Sequence, residues 1–418
     1  MAQQKIYSSK IQGKLQAPAS KSVVQRALAA ALLCDGTSTL SNFTSCDDAE
    51  AAIAIIKALE ATVCENGREL KVTSKGAIKH TSALKLYCGE SGLSSRLFAP
   101  ISLLFGNKIE LNGEGSLLKR PFTVMESSFA QLGVSCTTFN NFLPLQLEGK
   151  IKSGNIKLDG SSGSQFLSGL LMTLPLLQGD SMIEVDNLQS KPYIDLTIEV
   201  LKSFGISIEH DNYSIFSIKG GQQYEASDYA IEGDWSGASC LLVAGAVAGS
   251  IEINNLNASS SQADKVIVDV LKSVGAAIYQ TENSIKVSKN VLLPFEFDAR
   301  HCPDLFPALA ALAANCEGIS RIIGINRLVN KESNRALTLQ TELNNVGINV
   351  EFEGDSMLVH GGQIKGGQIF AHNDHRIAMA MAVTGLTAQN EVVIDGVECV
   401  AKSYPTFFKD LKSIQKII

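Results

Sequence analysis

The stretch "LKSFGISIE" at residues 201–209 occurs again, with changes, as "LKSVGAAIY" at 271–279 and "LNNVGINVE" at 343–351. Each copy has the pattern of a helix end, a glycine turn and a strand. Short turns that lead into apolar strands recur along the whole chain, at Gly36, Gly106, Gly179, Gly249, Gly318 and Asn390. Because a regular period defines the architecture before any single motif does, the sequence predicts six copies of one α/β repeat.

An apolar run of helical length, rich in Ala and Leu, precedes each of these turns. The predicted helix starts are Lys21-Ser22, Ser94-Ser95-Arg96, Ser164-Gln165, Trp235-Ser236, Pro303-Asp304 and His375-Arg376. A helix N-terminus presents unpaired backbone N–H groups and roughly half a positive charge. Six equivalent helices should be arranged equivalently, so we expect their N-termini to converge in groups and to bind a ligand with several negative charges.

The residue types at the helix starts allow two interpretations. Ser, Thr or Asp at such a position is often an ordinary N-cap. Cations at the same position oppose the helix dipole, so capping does not explain Lys21, Arg26, Arg96 and Arg376. These four cations favour an anion site.

Length and composition restrict the class of protein. A chain of 418 residues with 45% hydrophobic residues is expected to form two domains with large cores. The net charge of −6 argues against a general nucleic-acid binder. Nine cysteines without a CxxC pair are typical of reduced thiols in the cytoplasm. The sequence has no apolar run long enough to span a membrane and no secretory signal at its start, so we expect neither a membrane partner nor secretion.

Strands and helices alternate within each repeat, which excludes the all-α and all-β classes. Strands such as "GSIEINNL" and "NKIELNG" alternate between apolar and polar residues. This pattern indicates sheets with one exposed face. Repeats one to three end near residue 230, so we predict an α/β protein with three repeats in each of two domains.

Motifs of the first half combine glycines, hydroxyl groups and cations near predicted helix starts. In "APASKSVVQRALAAALL" at 17–33, a loop containing proline leads to Lys21 and Ser22, with Arg26 one turn later. Tight glycine turns let backbone N–H groups approach a ligand, and hydroxyl and amide groups donate to phosphate oxygens. The further candidates are Gly92 in "CGESGLSSRLFAP" (88–100), Arg120 in "GEGSLLKRPF" (113–122), Ser164 and Gln165 in "DGSSGSQFLSGLLM" (159–172), and Ser190 in "QSKPYIDLT" (189–197).

Two motifs of the second half carry carboxylates. Asp304, in "HCPDLFPALAAL" at 301–312, is either a plain N-cap or a general base for a hydroxyl group. "RLVNKESNR" at 327–335 places Lys331, Glu332 and Arg335 within five residues. Such a run is usually a solvated helix face, but if it is buried, Lys331 and Arg335 would share one side of a helix.

Two further cations lie close to the C-terminus. His375 and Arg376 begin the apolar helix of "NDHRIAMAMAV" at 373–383, and no Cys lies near them in the sequence. Lys402 lies in "AKSYPTFF" at 401–408, in the loop of the sixth repeat. Neither motif therefore predicts a metal site.

The ordered set "SKSxxxRAL", "GxSG…R", "KRPF", "SSGSQFLSGLLM", "SKPYIDLT", "PDLFPALA", "KESNR", "NDHRIAMA" and "AKSYPTFF" resembles the 3-phosphoshikimate 1-carboxyvinyltransferase (EPSP synthase) family nearly end to end. The resemblance implies a two-domain inside-out α/β barrel with six βαβαββ repeats. It implies one domain at 16–230, a second at 1–15 plus 231–418, and an active site in the cleft between them.

The reaction that the resemblance implies transfers the enolpyruvyl group of phosphoenolpyruvate to the 5-hydroxyl of shikimate 3-phosphate and releases phosphate. The implied partners are these two small molecules, with no nucleic acid, no membrane, no metal and no organic cofactor. We expect a monomer in the cytoplasm.

The resemblance also assigns roles to individual residues. Asp304 is similar to the residue that takes the 5-hydroxyl proton, Glu332 to the acid that protonates the methylene carbon, and Lys21 to a third catalytic residue. The implied contacts of shikimate 3-phosphate are Lys21, Ser22, Arg26, Ser164, Gln165, Ser190, Asp304 and Lys331. Those of phosphoenolpyruvate are Lys21, Gly92, Arg120, Gln165, Arg335, Arg376 and Lys402.

The chain departs from the family pattern at several positions. Gly163 stands where a second Ser is usual, Arg327 where some members carry a substrate-contacting Asn, and Asn334 where an Asp is common. Glu90, Ser91 and Leu93 depart from the usual Gly-Asn-Ala-Gly-Thr turn.

Two alternatives remain at the level of sequence. UDP-N-acetylglucosamine 1-carboxyvinyltransferases share the fold and the donor but carry a reactive Cys in the loop that matches 112–121, whereas this chain has no Cys from 89 through 135. A non-catalytic binder of phosphorylated ligands is the second alternative. Retention of Asp304, Glu332 and Lys21 argues against it.

Overall fold

A computed structural model describes residues 2–78, 80 and 82–417. Its strands are β1 (Gln3–Ile6), β2 (Ser9–Gln16), β3 (Asp35–Ser41), β4 (Thr62–Asn66), β5 (Glu69–Lys75), β6 (Leu84–Tyr87), β7 (Lys108–Asn112), β8 (Val134–Phe139), β9 (Phe142–Gly149), β10 (Asn155–Asp159), β11 (Ser181–Asp186), β12 (Glu209–Asp211), β13 (Ile215–Ile218), β14 (Asp228–Ala230), β15 (Gly249–Asn254), β16 (Ala277–Gln280), β17 (Ser284–Ser288), β18 (Glu296–Asp298), β19 (Gly318–Ile323), β20 (Asn349–Glu353), β21 (Ser356–Gly361), β22 (Gly367–Phe370), β23 (Val392–Asp395) and β24 (Gln415–Ile417).

The helices are α1 (Lys21–Leu33), α2 (Asp47–Ala58), α3 (Gly92–Ser102), α4 (Thr123–Gln131), α5 (Gln165–Thr173), α6 (Pro192–Ser203), α7 (Trp235–Ala248), α8 (Ile267–Ser273), α9 (Phe306–Ala314), α10 (Arg335–Asn345), α11 (His375–Gly385) and α12 (Phe407–Ile414). Short 3-10 turns lie at Gly115–Lys119, Leu174–Leu176, Ala263–Val266, Ile325–Leu328 and Val397–Lys402. No helix in these described ranges is long and apolar enough to cross a bilayer.

The chain forms two compact units. The N-terminal unit is Lys21–Ile231, and the C-terminal unit combines Met1–Ser20 with Glu232–Ile418. These limits lie within a few residues of the positions 16 and 231 that the resemblance implies.

One sheet topology recurs in both units. In the N-terminal unit the sheet orders are β14-β3-β5-β4, β6-β7-β9-β8 and β10-β11-β13-β12. The first pair of each sheet is parallel and the next two pairs are antiparallel. The C-terminal unit repeats the arrangement in β18-β19-β21-β20, and related sheets have the orders β16-β17-β15-β2-β24 and β1-β23-β22. The prediction of six α/β repeats is thereby confirmed.

Two strands are exchanged between the halves of the sequence. Strand β2 immediately precedes α1 of the first repeat but pairs in parallel with β15 of the fourth repeat. Strand β14 precedes α7 of the fourth repeat but pairs in parallel with β3 of the first repeat. Strand β1 likewise comes from the start of the sequence and pairs with β23 in the C-terminal unit. The C-terminal unit therefore contains two strands from the start of the chain, and the N-terminal unit contains β14, the strand that directly precedes the fourth repeat.

The first helix of each repeat lies inside its unit. Every residue of α7, α9 and α11 is buried, and α1 is buried from Val23 to Leu33. A helix that is apolar on all sides requires such a core position. Strands such as β5 and β10 alternate between buried and exposed residues, so their sheets cover the helices with one face and meet solvent with the other, as predicted. None of the six sheets in the described residues closes on itself.

Four of the six buried helices begin where the sequence predicts, at Lys21, Gln165, Trp235 and His375. Helix α3 begins earlier, at Gly92, because the Ser91 hydroxyl caps it by accepting a hydrogen bond from the Ser94 N–H at 3.2 Å. Helix α9 begins later, at Phe306. Asp304 therefore lies ahead of the helix and is not its N-cap residue, which is Leu305.

Candidate active site

Lys21, the first residue of α1, is paired with a carboxylate. Its Nζ lies 2.9 Å from Oδ2 of Asp48, which is buried in the first turn of α2. An acidic residue in a first turn is favourable to the helix dipole, whereas a cation there is not. Asp48 thus offsets the unfavourable position of Lys21 while the lysine keeps its charge.

Arg26 is almost completely buried and connects three helices. Its Nε donates to the Thr197 hydroxyl at 2.8 Å, and Nη1 donates to the Ser22 carbonyl at 2.9 Å. Its Nη2 donates at 3.3 Å to the Ser168 hydroxyl and to the Tyr193 carbonyl. These acceptors are neutral, and burial lowers the pKa of Arg26 to about 10. Arg26 therefore holds α1 against α5 and α6 as a buried cation.

Arg120 lies directly on the Gly92 turn. A Cβ added to Gly92 would lie 2.6 Å from Cζ and 2.9 Å from Nη2 of Arg120, so only glycine leaves room for this guanidinium. Arg96, one turn after the start of α3, donates to the Gly92 carbonyl at 3.0 Å and to the Pro121 carbonyl at 2.7 Å. Burial and the charge of Arg120 lower the pKa of Arg96 to about 9. The two arginines make this corner strongly electropositive.

The start of α5 lies next to the same corner. Ser164 is buried, and Gln165 lines with Arg96 a small cavity of about 30 Å³. Gly163 has a φ of +126°, a conformation that a side chain strains. A second Ser, as in the family pattern, would be strained in this conformation. Ser190 is likewise buried, and its backbone adopts the left-handed conformation with a φ of +60°.

In the C-terminal unit, Asp304 binds three cations. Its Oδ1 accepts from Lys331 Nζ at 3.2 Å and from Arg335 Nη1 at 2.8 Å. Its Oδ2 lies 3.6 Å from Arg376 Nη2. The side chain of Asp304 remains 28% exposed, so the carboxylate is held by cations yet accessible to a ligand.

Arg335 connects Asp304 to two further carboxylates. Its Nε donates to Asp374 Oδ2 at 2.8 Å and its Nη2 to Glu332 Oε2 at 2.5 Å. The other oxygen of Glu332 lies 4.0 Å from Nζ of Lys402. These side chains, with the exception of Asp304, are 8% exposed or less, so their charges interact with little screening by water.

The carboxylates determine the charge state of the buried arginines. Burial alone would lower the pKa of Arg335, but the charges of Asp374, Glu332 and Asp304 raise it well above its ordinary value. For Arg376 burial again acts downward, and Asp304 is the largest of the charges that raise its pKa above normal. Both arginines are therefore permanent cations.

The sequence-predicted residues thus form separate clusters. The C-terminal unit brings Asp304, Lys331, Glu332, Arg335, Arg376 and Lys402 into one network. The N-terminal unit places Arg26 against Ser22 and Arg120 against Gly92. The interpretation of Lys331 and Arg335 as neighbours on one helix was wrong: α10 begins at Arg335, and Lys331 lies in a bend before it.

Sequence reasoning missed the carboxylates that neutralise the helix-start cations. Asp48 pairs with Lys21, and Asp374 both binds Arg335 and caps α11 by accepting from the Arg376 N–H at 3.0 Å. Asp374 directly precedes a helix start in "NDHR", which is a detectable N-cap signal. For Asp48 no local signal connects it to a lysine 27 positions earlier, since their contact depends on the packing of α1 and α2.

Solved structures with this fold define its class. EPSP synthase from Acinetobacter baumannii superimposes with a TM-score of 0.83 at 24% identity, covering 99% of this chain and 98% of that one. The enolpyruvyl transferase NikO from Streptomyces tendae gives a TM-score of 0.77 at 17% identity, covering 98% of this chain and 96% of that one. The fold is that of the enolpyruvyl transferases.

The sequence comparisons define the family within this class. The profile of EPSP synthase (3-phosphoshikimate 1-carboxyvinyltransferase) matches residues 6–411. The 3-phosphoshikimate 1-carboxyvinyltransferase of Clostridium kluyveri is 38% identical over 411 residues, which is 98% of this chain and 96% of the relative. That of Clostridium acetobutylicum is 39% identical over 409 residues, or 97% and 95%. This chain belongs to the EPSP synthase family.

Proposed function

We propose that this protein transfers the enolpyruvyl group of phosphoenolpyruvate to the 5-hydroxyl of shikimate 3-phosphate, giving 5-enolpyruvylshikimate 3-phosphate and phosphate. The activity is that of its family, a step in aromatic amino acid biosynthesis. The structural observation that supports it most directly is Asp304, a partly accessible carboxylate held by three cations. A proton acceptor among cations suits the attack of a hydroxyl group on a polyanionic donor.

We assign the cations to the two substrates. Phosphoenolpyruvate carries a carboxylate and a phosphate, and guanidinium groups hold such anions with paired hydrogen bonds. Its proposed contacts are Lys21, Gly92, Arg120, Gln165, Arg335, Arg376 and Lys402. The proposed contacts of shikimate 3-phosphate are Lys21, Ser22, Arg26, Ser164, Gln165, Ser190, Asp304 and Lys331.

Substrate binding then changes the partners of Asp304. Lys331, Arg335 and Arg376 turn toward the substrate anions, so the Asp304 oxygens become acceptors for the 5-hydroxyl. A carboxylate that loses cationic neighbours gains proton affinity. Asp304 is thereby prepared to take the hydroxyl proton as this oxygen attacks the donor.

The same exchange prepares Glu332 as the acid. Arg335 and Lys402 both lie at its carboxylate, at 2.5 and 4.0 Å. When the donor's anions bind these cations, the protonated form of Glu332 becomes more favourable, and this form protonates the methylene carbon. The positive charge that develops on the adjacent carbon is stabilised by nearby carboxylates and by the anions of the substrates. In the elimination step the acid and the base exchange roles, and phosphate leaves.

We further propose a cytoplasmic monomer that needs neither metal nor organic cofactor. Its nine thiols in their free form fit a reducing compartment. We expect size-exclusion chromatography with light scattering to give 44.6 kDa, the mass of one chain.

Phosphate release tests the function directly. The expected result is release when phosphoenolpyruvate is mixed with shikimate 3-phosphate, and none when UDP-N-acetylglucosamine replaces the latter. Release from phosphoenolpyruvate with UDP-N-acetylglucosamine, but not with shikimate 3-phosphate, would contradict the acceptor assignment. Binding of both substrates without any release would instead identify a non-catalytic binder.

A further inference from the structure

Two segments of the N-terminal unit contact each other through charged side chains, and each charged side chain packs against a glycine of the other segment. The first is the Gly92 turn, residues 88–92, and the second is the Arg120 loop, residues 113–121. Arg120 of the loop lies on Gly92, as described above. In the opposite direction, a Cβ added to Gly115 would lie 2.5 Å from Oε1 and 2.7 Å from Oε2 of Glu90. Gly115 has a φ of +54°, which also favours glycine.

Glu90 is hydrogen-bonded to the residue after Gly115. Its Oε2 accepts from the Ser116 backbone N–H at 2.9 Å and from the Ser116 hydroxyl at 2.6 Å. Both bonds involve a charged acceptor, which makes them stronger than neutral hydrogen bonds. The carboxylate thus holds the 3-10 turn Gly115–Lys119, whose C-cap residue is Arg120.

The backbones of the two segments are also in contact. The Cys88 N–H donates to the Asn112 carbonyl at 2.8 Å, and the Glu114 N–H donates to the Gly89 carbonyl at 2.9 Å. A Cβ on Gly113 would lie 2.6 Å from that same Gly89 carbonyl oxygen. These backbone bonds between the two segments lie at the start of the loop. Within the loop, the Leu117 N–H donates to the Glu114 carbonyl and the Arg120 N–H to the Leu117 carbonyl, each at 3.1 Å, and Leu117 is buried. The bonds of Glu90 to Ser116 add a connection from the Gly92 turn to this 3-10 turn.

We propose that Glu90 is a positioning residue for the enolpyruvyl donor: by binding Ser116 it sets the path of the Arg120 loop and keeps the guanidinium of Arg120 on Gly92. This inference rests on the proposed function, in which Arg120 and Gly92 contact phosphoenolpyruvate. An arginine side chain is flexible, so the position of its backbone decides where its charge is available. Glu90 and Ser91 depart from the usual residues of this turn, and in this chain Glu90 binds Ser116 while Ser91 caps α3.

The kinetic test compares Glu90→Ala with Glu90→Gln. Glu90→Ala removes the acceptor, and we expect KM for phosphoenolpyruvate to rise about tenfold, the equivalent of one charge-assisted hydrogen bond. We expect kcat to stay within about threefold and KM for shikimate 3-phosphate to stay unchanged, because Glu90 touches neither reacting group. Glu90→Gln keeps an amide oxygen for Ser116 and should restore most of the affinity. The exposed carboxylate of Glu65 on β4 supplies the matched control, Glu65→Ala, which should leave all constants unchanged.

A second variant tests the geometry rather than the charge. Gly115→Ala adds a methyl group where the Glu90 carboxylate lies, and we expect the same selective rise in KM for phosphoenolpyruvate. In a Glu90→Ala background the steric part of this effect should disappear, so the double variant should be less impaired than the product of the two single effects. Fully multiplicative effects would overturn the proposed contact.

Hydrogen exchange separates this inference from the proposed function, because it needs no turnover. In the wild type we expect added phosphoenolpyruvate to slow exchange across residues 113–121. In Glu90→Ala the Ser116 amide should exchange faster, and this slowing by phosphoenolpyruvate should be lost. A wild type without phosphate release refutes the proposed function, whereas exchange unaltered by Glu90→Ala refutes the positioning role. Equal rises in both KM values with a lower Tm would show a merely structural role and would also overturn the proposal.

Discussion

Asp304 and Arg335 are joined by a hydrogen bond of 2.8 Å between Oδ1 and Nη1, and the same oxygen accepts from Lys331 at 3.2 Å. The carboxylate proposed as the base is therefore occupied by the cations proposed to hold the substrates. This arrangement neutralises buried charges before any ligand binds. In the proposed mechanism it also makes the reactivity of Asp304 depend on substrate binding, because the substrates draw its cationic partners away.

Asp304→Ala should abolish most turnover while both substrates still bind. A positioned general base contributes about 10²- to 10⁴-fold, so we expect kcat to fall by that order. Removal of the carboxylate leaves Lys331 and Arg335 available to anions, so Kd for shikimate 3-phosphate should not rise strongly. Phosphate release and calorimetric titration measure the two quantities. Unchanged turnover would remove Asp304 from the mechanism.

Arg376→Ala should selectively weaken the binding of the donor, phosphoenolpyruvate. Arg376 is buried and permanently charged, and losing one charge-assisted partner should raise KM for phosphoenolpyruvate roughly 10- to 100-fold. Steady-state kinetics with the donor varied provide the measurement. Arg321→Ala is the matched control, because Arg321 pairs with Glu296 and Glu353 on the surface of the same unit. Equal effects of the two substitutions would place Arg376 outside the donor site.

Gly92→Ala should displace the guanidinium of Arg120, because the added methyl group would lie 2.6 Å from its Cζ. We expect a rise in KM for phosphoenolpyruvate with little change in Tm, since the flexible end of the arginine can move away. Gly154→Ala is the control, because a Cβ at Gly154 meets nothing within 4 Å. If Gly92→Ala leaves donor affinity intact, Arg120 does not bind the donor from this position.

Asp264 predicts a pH dependence of stability. This buried residue accepts a hydrogen bond from the Ser236 hydroxyl, and burial raises its pKa to about 7, with the charge of Arg376 acting downward. Because the folded-state pKa lies above the unfolded value, the folded protein binds more protons, and stability falls as pH rises from about 4 to 7. The Tm of Asp264→Asn minus that of the wild type should therefore be larger at pH 8 than at pH 5. The exposed Asp269→Asn is the control, and a difference in Tm that does not vary with pH would contradict the prediction.

The repeats and most of the candidate site could be predicted because their signals are local. The period of turn, strand and helix follows from side-chain patterns within each repeat, and cations at helix starts such as Lys21 and Arg376 are visible without a partner. The partner of Lys21 could not be predicted, because Asp48 reaches it only through the packing of α1 on α2. The bend at Lys331 was missed for a similar reason: its position follows from its contact with Asp304, not from helical spacing.

The exchange of β2 and β14 restricts the order in which the chain can fold during synthesis. The sheet of the first repeat lacks one strand until residues 228–230 have been made, and residues 9–16 have no parallel partner until residues 249–254 follow. A nascent chain must therefore keep β2 without its parallel partner while the entire N-terminal unit is translated. Cutting the gene at residue 231 would leave β1 and β2 in a front fragment without their partners β23, β15 and β24, and the rear fragment would lack a strand in each of two sheets until the fragments recombine.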